Sequence, residues 1–176
     1  MDNNTLALAR QRSTAQYMLL ATVLTTVANI ILLLANSTFM IPYCAALPYY
    51  LTMLGNYFDG YAFGTYTATG MAMAFVLLAI WLLLWWKSKN SARWLKAGMV
   101  AVIIDTVLLA VFAFVFLEDP ASCLVEGLLH IAVIYEIHVG LKAHRQLQQF
   151  QAQPPVYAPW AEEETPADSE YSDDIP

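Results

Sequence analysis

Charge is what this sequence has least of. Only 12% of its 176 residues are charged and 59% are hydrophobic, whereas a water-soluble domain carries about 25% charged residues. No Lys or Arg lies between Arg12 and Lys87, and none between Lys96 and Lys142. The eight basic residues fall in three short clusters, which excludes a basic face for nucleic acid. Cysteine is nearly missing as well, with two residues, too few for a disulfide relay that passes electrons between two pairs. There is no Gly-x-Ser-x-Gly, no His-Glu-x-x-His, no Cys-x-x-Cys and no glycine-rich phosphate loop. Nucleophilic hydrolysis, zinc peptidase chemistry and nucleotide binding therefore find no support, and no cofactor is called for. The net charge of −6 belongs to the tail, where residues 154–176 hold seven acids and no base.

What the chain has in quantity is long apolar runs. The first, about 16–38, has the twenty or so residues that a spanning helix needs. Basic residues before an apolar run also open a signal peptide, and Ala35-Asn36-Ser37 resembles a cleavage site. The run exceeds the usual 7–15 residues of a signal, which favours an uncleaved helix. Further spanning helices are expected at about 71–86, 97–117 and 121–142, the last extending as a polar helix through residues 143–153. The second has no polar side chain, so the most lipid contact is expected there. Between the first two runs, residues 39–70 carry nine aromatics, two prolines and four glycines. Tyrosine favours the headgroup layer, and Pro48 is suited to open a short helix ending near Gly55 or Gly60. An aromatic cap over the outer face is the expectation.

The fold class is thus all-α integral membrane, an up-down bundle of four helices in one domain spanning 16–142. Residues 1–15 form a cytoplasmic segment and 143–176 a cytoplasmic tail, acidic and disordered from about 154. Pro154-Pro155-Val156-Tyr157 matches a WW-domain ligand pattern, although a merely solvated tail is the simpler reading. Four spans put all three basic clusters on one side, which the positive-inside rule makes cytoplasmic. Three or five spans would scatter them. Both termini are expected inside, in a plasma membrane.

The last run carries Glu126, His130, Glu136 and His138, although ionisable groups at membrane depth cost about 2.5–3.5 kcal/mol each. Glu126 and His130 are four apart and share a helix face. At about 1.5 Å per residue, Asp105 and His130 both fall within roughly 2 Å of the midplane, on helices joined by a tight turn. Thr22, Thr25, Thr26, Asn29 and Asn36 form a stripe on the first helix, and polar stripes face partner helices. Asn29, Asp105, Glu126 and His130 are the expected interior network. Three roles are open to it: a structural polar network, a proton or cation pathway, or a metal site using Asp105, Glu126 and His130. A haem is disfavoured, because His130 and His138 lie on one helix. Glu136, His138 and His144 read as interfacial.

Cys44 and Cys123 are expected on the same, oxidising side, where a disulfide would tether the cap over Glu126; the alternative is two unrelated thiols. The functional expectation is a non-enzymatic accessory or interaction subunit, whose partners are the lipid bilayer and a membrane protein or further copies of itself. The alternative is a small oligomeric transporter using Asp105, His130 and Glu126. Gly70, Ala74, Ala97 and Ala101 are expected to face lipid and to support such oligomers.

Overall fold

The computed structural model describes residues 3–116 and 120–152, which form five α-helices: α1 (Asn3–Leu34), α2 (Ala46–Phe58), α3 (Thr65–Ser88), α4 (Ala92–Phe116) and α5 (Pro120–Ala152). Among the described residues there is no strand. Four of the helices, α1, α3, α4 and α5, are long and apolar enough to cross a membrane. The expected turn at Glu118-Asp119 and the acidic tail lie outside the described residues.

Each long helix presents one narrow inward face. On α4 the buried residues are Leu95, Gly98, Val102, Asp105 and Leu109, spaced alternately three and four apart. On α5 they include Glu126, His130, Val133, Ile137 and Leu141. That recurrence is the 3.6-residue period of one helix face. The remaining faces are apolar and exposed, as with Val100, Ile103, Ile104, Val107 and Val111 on α4. α1 packs against α5 and α3, and α4 lies between α3 and α5. Gln16 of α1 donates to the Ser88 carbonyl at the end of α3 at 3.0 Å, and the Arg12 guanidinium bonds the Lys89 carbonyl. Leu19 of α1 meets Gly98 near the start of α4, and Ala15 meets Gly140 late in α5. These contacts set an up-down-up-down order and bring the three basic clusters to one end.

α1 starts at Asn3, well before the expected residue 16. Its extra turns lie along the polar end of α5, where Asn4, Leu8 and Gln11 share a groove with Gln146, Gln149 and Phe150. α1 stops at Asn36, which has φ +52°. Asn36 N–H bonds the Leu33 carbonyl and Ser37 N–H the Leu32 carbonyl, both at 3.0 Å, the paired pattern of a left-handed helix stop. Asn36 is exposed and leaves the expected stripe.

The larger correction concerns α2. It does not lie across the end of the bundle but runs antiparallel along the first half of α3. Gly55 touches the backbone of Tyr66 and Thr67, and Gly70 touches that of Leu51 and Thr52. At both glycines a Cβ would collide with a carbonyl oxygen, of Tyr66 and of Leu51 respectively. Missing side chains on both helices allow this approach. Gly70 is consequently buried against α2 and Ala74 lies in the core, so neither is on the outer surface. With α3 half covered, α4 rather than α3 is the least buried long helix. The aromatic rings gather as a rim at the α2–α3 turn, where Tyr57, Phe58, Tyr61, Phe63 and Tyr66 are all exposed.

Candidate functional site

The linker from residue 35 to 45 and the first turn of α2 descend into the bundle, and the interior polar groups meet their backbone. Asn29 of α1 pairs with Ile41 through both amide atoms: its Nδ2 donates to the Ile41 carbonyl at 2.9 Å and its Oδ1 accepts from Ile41 N–H at 2.8 Å. Thr26 Oγ1 accepts from Ala45 N–H at 2.7 Å while donating to the Thr22 carbonyl at 2.6 Å. Thr22 and the Tyr43 hydroxyl are 2.7 Å apart. Cys44, Ala45 and Ala46 have no exposure at all. Small side chains let this backbone come within hydrogen-bond reach of two helices, α1 and α4.

Asp105 closes the arrangement. The residue preceding α2 is Ala45, whose side chain offers no acceptor, and the first N–H groups of any helix lack intrahelical partners. Asp105 supplies both acceptors from α4: Oδ2 takes Ala46 N–H at 2.8 Å and Oδ1 takes Leu47 N–H at 3.2 Å. Pro48 follows without an N–H, so the carboxylate meets the two donors that the turn presents. It is an N-cap delivered from another helix, and its negative charge also suits the positive end of the α2 dipole.

His130 Nε2 lies 3.3 Å from Asp105 Oδ2, and His130 Nδ1 lies 2.9 Å from the Glu126 carbonyl. The ring thus has an oxygen partner at each nitrogen, a backbone carbonyl at one and the Asp105 carboxyl at the other. The Asp105–His130 contact is buried, with His130 1% exposed. Tyr43 stands edge-on to the imidazole, ring centroids 5.0 Å apart. Glu126 is buried, and the Cys44 thiol donates to its Oε1 at 3.6 Å. A cavity of about 330 Å³ reaches Glu126 between Met40, Pro42, Ala121 and Val125.

Of the residues singled out in the sequence, Asp105 and His130 touch, and Glu126 joins them through its own carbonyl. Asn29 is buried nearby, but its bonds go to Ile41. Cys44 and Cys123 form no disulfide: the linker packs inward and aims Cys44 at Glu126, whereas Cys123 sits half-buried in the first turn of α5. Among the described residues no group of three or more His, Cys, Asp or Glu is placed to hold a metal ion, because Asp105 is turned to amides and His130 to acceptors. Glu136 is half-buried, His138 exposed and His144 buried. Tyr43 and the amides of residues 45–47 were not legible as site groups. The run of small residues between Pro42 and Pro48 was the available signal.

The chain matches no protein-family model, no curated protein and no solved structure.

Proposed function

We propose that the chain is a multi-pass plasma-membrane protein in which α1, α3, α4 and α5 span the bilayer and both termini are cytoplasmic. α2 is then a re-entrant helix, entering from the outer side, and the protein is a non-enzymatic accessory or interaction subunit. The observation that carries this reading is how the buried polar groups are used. Asn29, Thr26 and Asp105 hold backbone atoms of residues 41–47, so they are spent on architecture. Irregular backbone at membrane depth needs such partners, because lipid offers none. Towards the basic end the interior is filled by Leu19, Val23, Leu95, Val102, Val133 and Ile137. No polar route to that end continues through one chain among the described residues. A continuous apolar outer surface on α4 suits lipid or a neighbouring membrane helix.

The test is flux from the purified protein in sealed vesicles, measured for protons and monovalent cations. No flux from a folded, correctly inserted protein is the expected result. Flux that disappears in both Asp105→Asn and His130→Ala would overturn the reading in favour of a small oligomeric transporter. The cavity at Glu126 is the observation that favours this second reading.

A further inference from the structure

α2 packs against α3 and α4 only over the half of their length that is remote from the basic end. Beyond its first turn the gap between α3 and α4 stays open as a cleft of about 180 Å³. Leu77, Ile80 and Leu84 form one wall, Ala101 and Ile104 the other, and Pro48 of α2 closes the far end. We infer that this cleft seats one acyl chain of an anionic phospholipid from the leaflet at the basic end, with Lys87 and Arg93 holding the headgroup. The inference rests on the membrane-spanning reading above and names one ligand of that surface.

Three features select this occupant. The first is the lining. From Leu77 to Leu84 the cleft follows about 10 Å of helix, against roughly 15 Å for the hydrocarbon depth of one leaflet. Ala101 contributes only a methyl group, which leaves room beside the buried Trp81 ring. The one acid in the lining is Asp105, at the closed end, and its two oxygens are already bonded to Ala46 and Leu47 N–H. A hydrocarbon chain therefore meets apolar walls along the cleft. The second is register. On α3, Leu77, Ile80, Leu84 and Lys87 are three, four and three apart, which is one helix face. On α4, Ile104, Ala101, Ala97 and Arg93 are three, four and four apart and likewise share a face. Followed towards the basic end, both walls thus lead to an exposed base. Trp94, next to Arg93, is 39% exposed, and indole rings favour the headgroup layer. The third is charge. No Asp or Glu exists between Asp59 and Asp105, whereas Lys87, Lys89, Arg93 and Lys96 all fall in that stretch. Basic pockets between spanning helices hold anionic headgroups. A zwitterionic lipid would fit the cleft but gain less from the bases.

The experiment uses the purified full chain in detergent, with dioleoyl phosphatidylglycerol and dioleoyl phosphatidylcholine as probes. Bound lipid is counted by non-denaturing mass spectrometry. One phosphatidylglycerol per chain should bind about thirtyfold more tightly than phosphatidylcholine, roughly fivefold for each of two bases near an anionic group. Lys87→Gln/Arg93→Gln should bring phosphatidylglycerol down to the level of phosphatidylcholine. Lys142→Gln/Arg145→Gln removes the same charge from α5 at the same end and should bind like the parent. Ala101→Phe keeps every base but fills the cleft, and it should lose the tight site. Equal binding of the two lipids by the parent marks a merely annular lipid and overturns the proposal. Equal losses in the two double variants mark general surface charge and overturn it too, as does retained tight binding in folded Ala101→Phe. Folding is read from each unfolding transition; if Lys87→Gln/Arg93→Gln or Ala101→Phe does not fold, the other decides. Alkaline carbonate separates this failure from that of the spanning reading. A chain it extracts from membranes fails the spanning reading, whereas one that stays but shows no lipid preference fails this proposal alone.

Discussion

At the scale of single residues, the interior shows that a buried charge can serve a neighbouring backbone rather than chemistry. Asp105 accepts from two amides and from His130. Asp105→Leu strips all three, and each buried group left unsatisfied costs about 1–3 kcal/mol. The expected outcome is a loss of several kcal/mol in detergent-denaturation experiments, with Asp105→Asn milder because one acceptor oxygen remains. Adding His130→Phe to Asp105→Leu should be milder than the sum of the singles, by about 0.5–3 kcal/mol of coupling. The double variant will still be destabilised, because Ala46 and Leu47 keep their orphaned N–H groups. Strict additivity would show that the Asp105–His130 contact contributes nothing. Asp59 does for α3 what Asp105 does for α2, accepting from Thr67 N–H at 2.6 Å. That bond holds its carboxyl below the usual carboxylate range. A depressed folded value means that the contribution is present above the unfolded value of about 3.9 and is lost as pH falls through the folded one. Asp59→Asn should therefore flatten part of the acid limb of a stability-versus-pH curve and leave neutral and alkaline pH dependence unchanged.

At the scale of elements, the pairing of α2 with α3 rests on glycines that remove side chains from the contact. Gly55→Ala places a methyl against the Tyr66 carbonyl, and such overpacking costs about 1–3 kcal/mol. At Gly127 on α5 a Cβ would meet no atom within 4 Å, so Gly127→Ala should instead stabilise by about 0.5–1 kcal/mol through helix propensity. Opposite signs for these two identical substitutions, read from unfolding midpoints, are the expected outcome. Equal effects would show that α2 is not seated on α3 as described. The same contact explains why the aromatic stretch reads as a cap. Tyr57, Tyr61 and Tyr66 do gather at one end, but the apolar half of α2, beginning at Ala46, is buried deeper than ring composition alone implies, and Tyr43 and Tyr50 go inside with it.

At the scale of the whole molecule, the proposed orientation is open to a direct measurement. In a background lacking Cys44 and Cys123, Asp59→Cys should react with an impermeant thiol reagent on intact cells. Ser91→Cys and Phe150→Cys should react only after permeabilisation. Labelling at position 91 from outside would invert the bundle and place the Glu126 cavity on the cytoplasmic side. The up-down helix order makes these positions a consistent set, since residues 91 and 150 lie at the end that carries Arg12 and Lys89.

Helix number, the periodic inward faces and the gathering of bases at one end were determined by the sequence itself. Each follows from local composition and the 3.6-residue period, which residues within one helix encode together. Asp105, Glu126 and His130 were legible because ionisable groups are rare in apolar runs. What they bond to was decided only by tertiary structure. Asp105 is satisfied by amides at positions 46 and 47, and Asn29 by the backbone of Ile41. Every residue type but proline carries the same N–H, so a backbone partner leaves no mark in a sequence. The descent of α2 into the bundle was hidden for the same reason. It depends on two glycines and an aspartate from different helices meeting in space, and periodicity records which face turns inward, not which neighbour it meets.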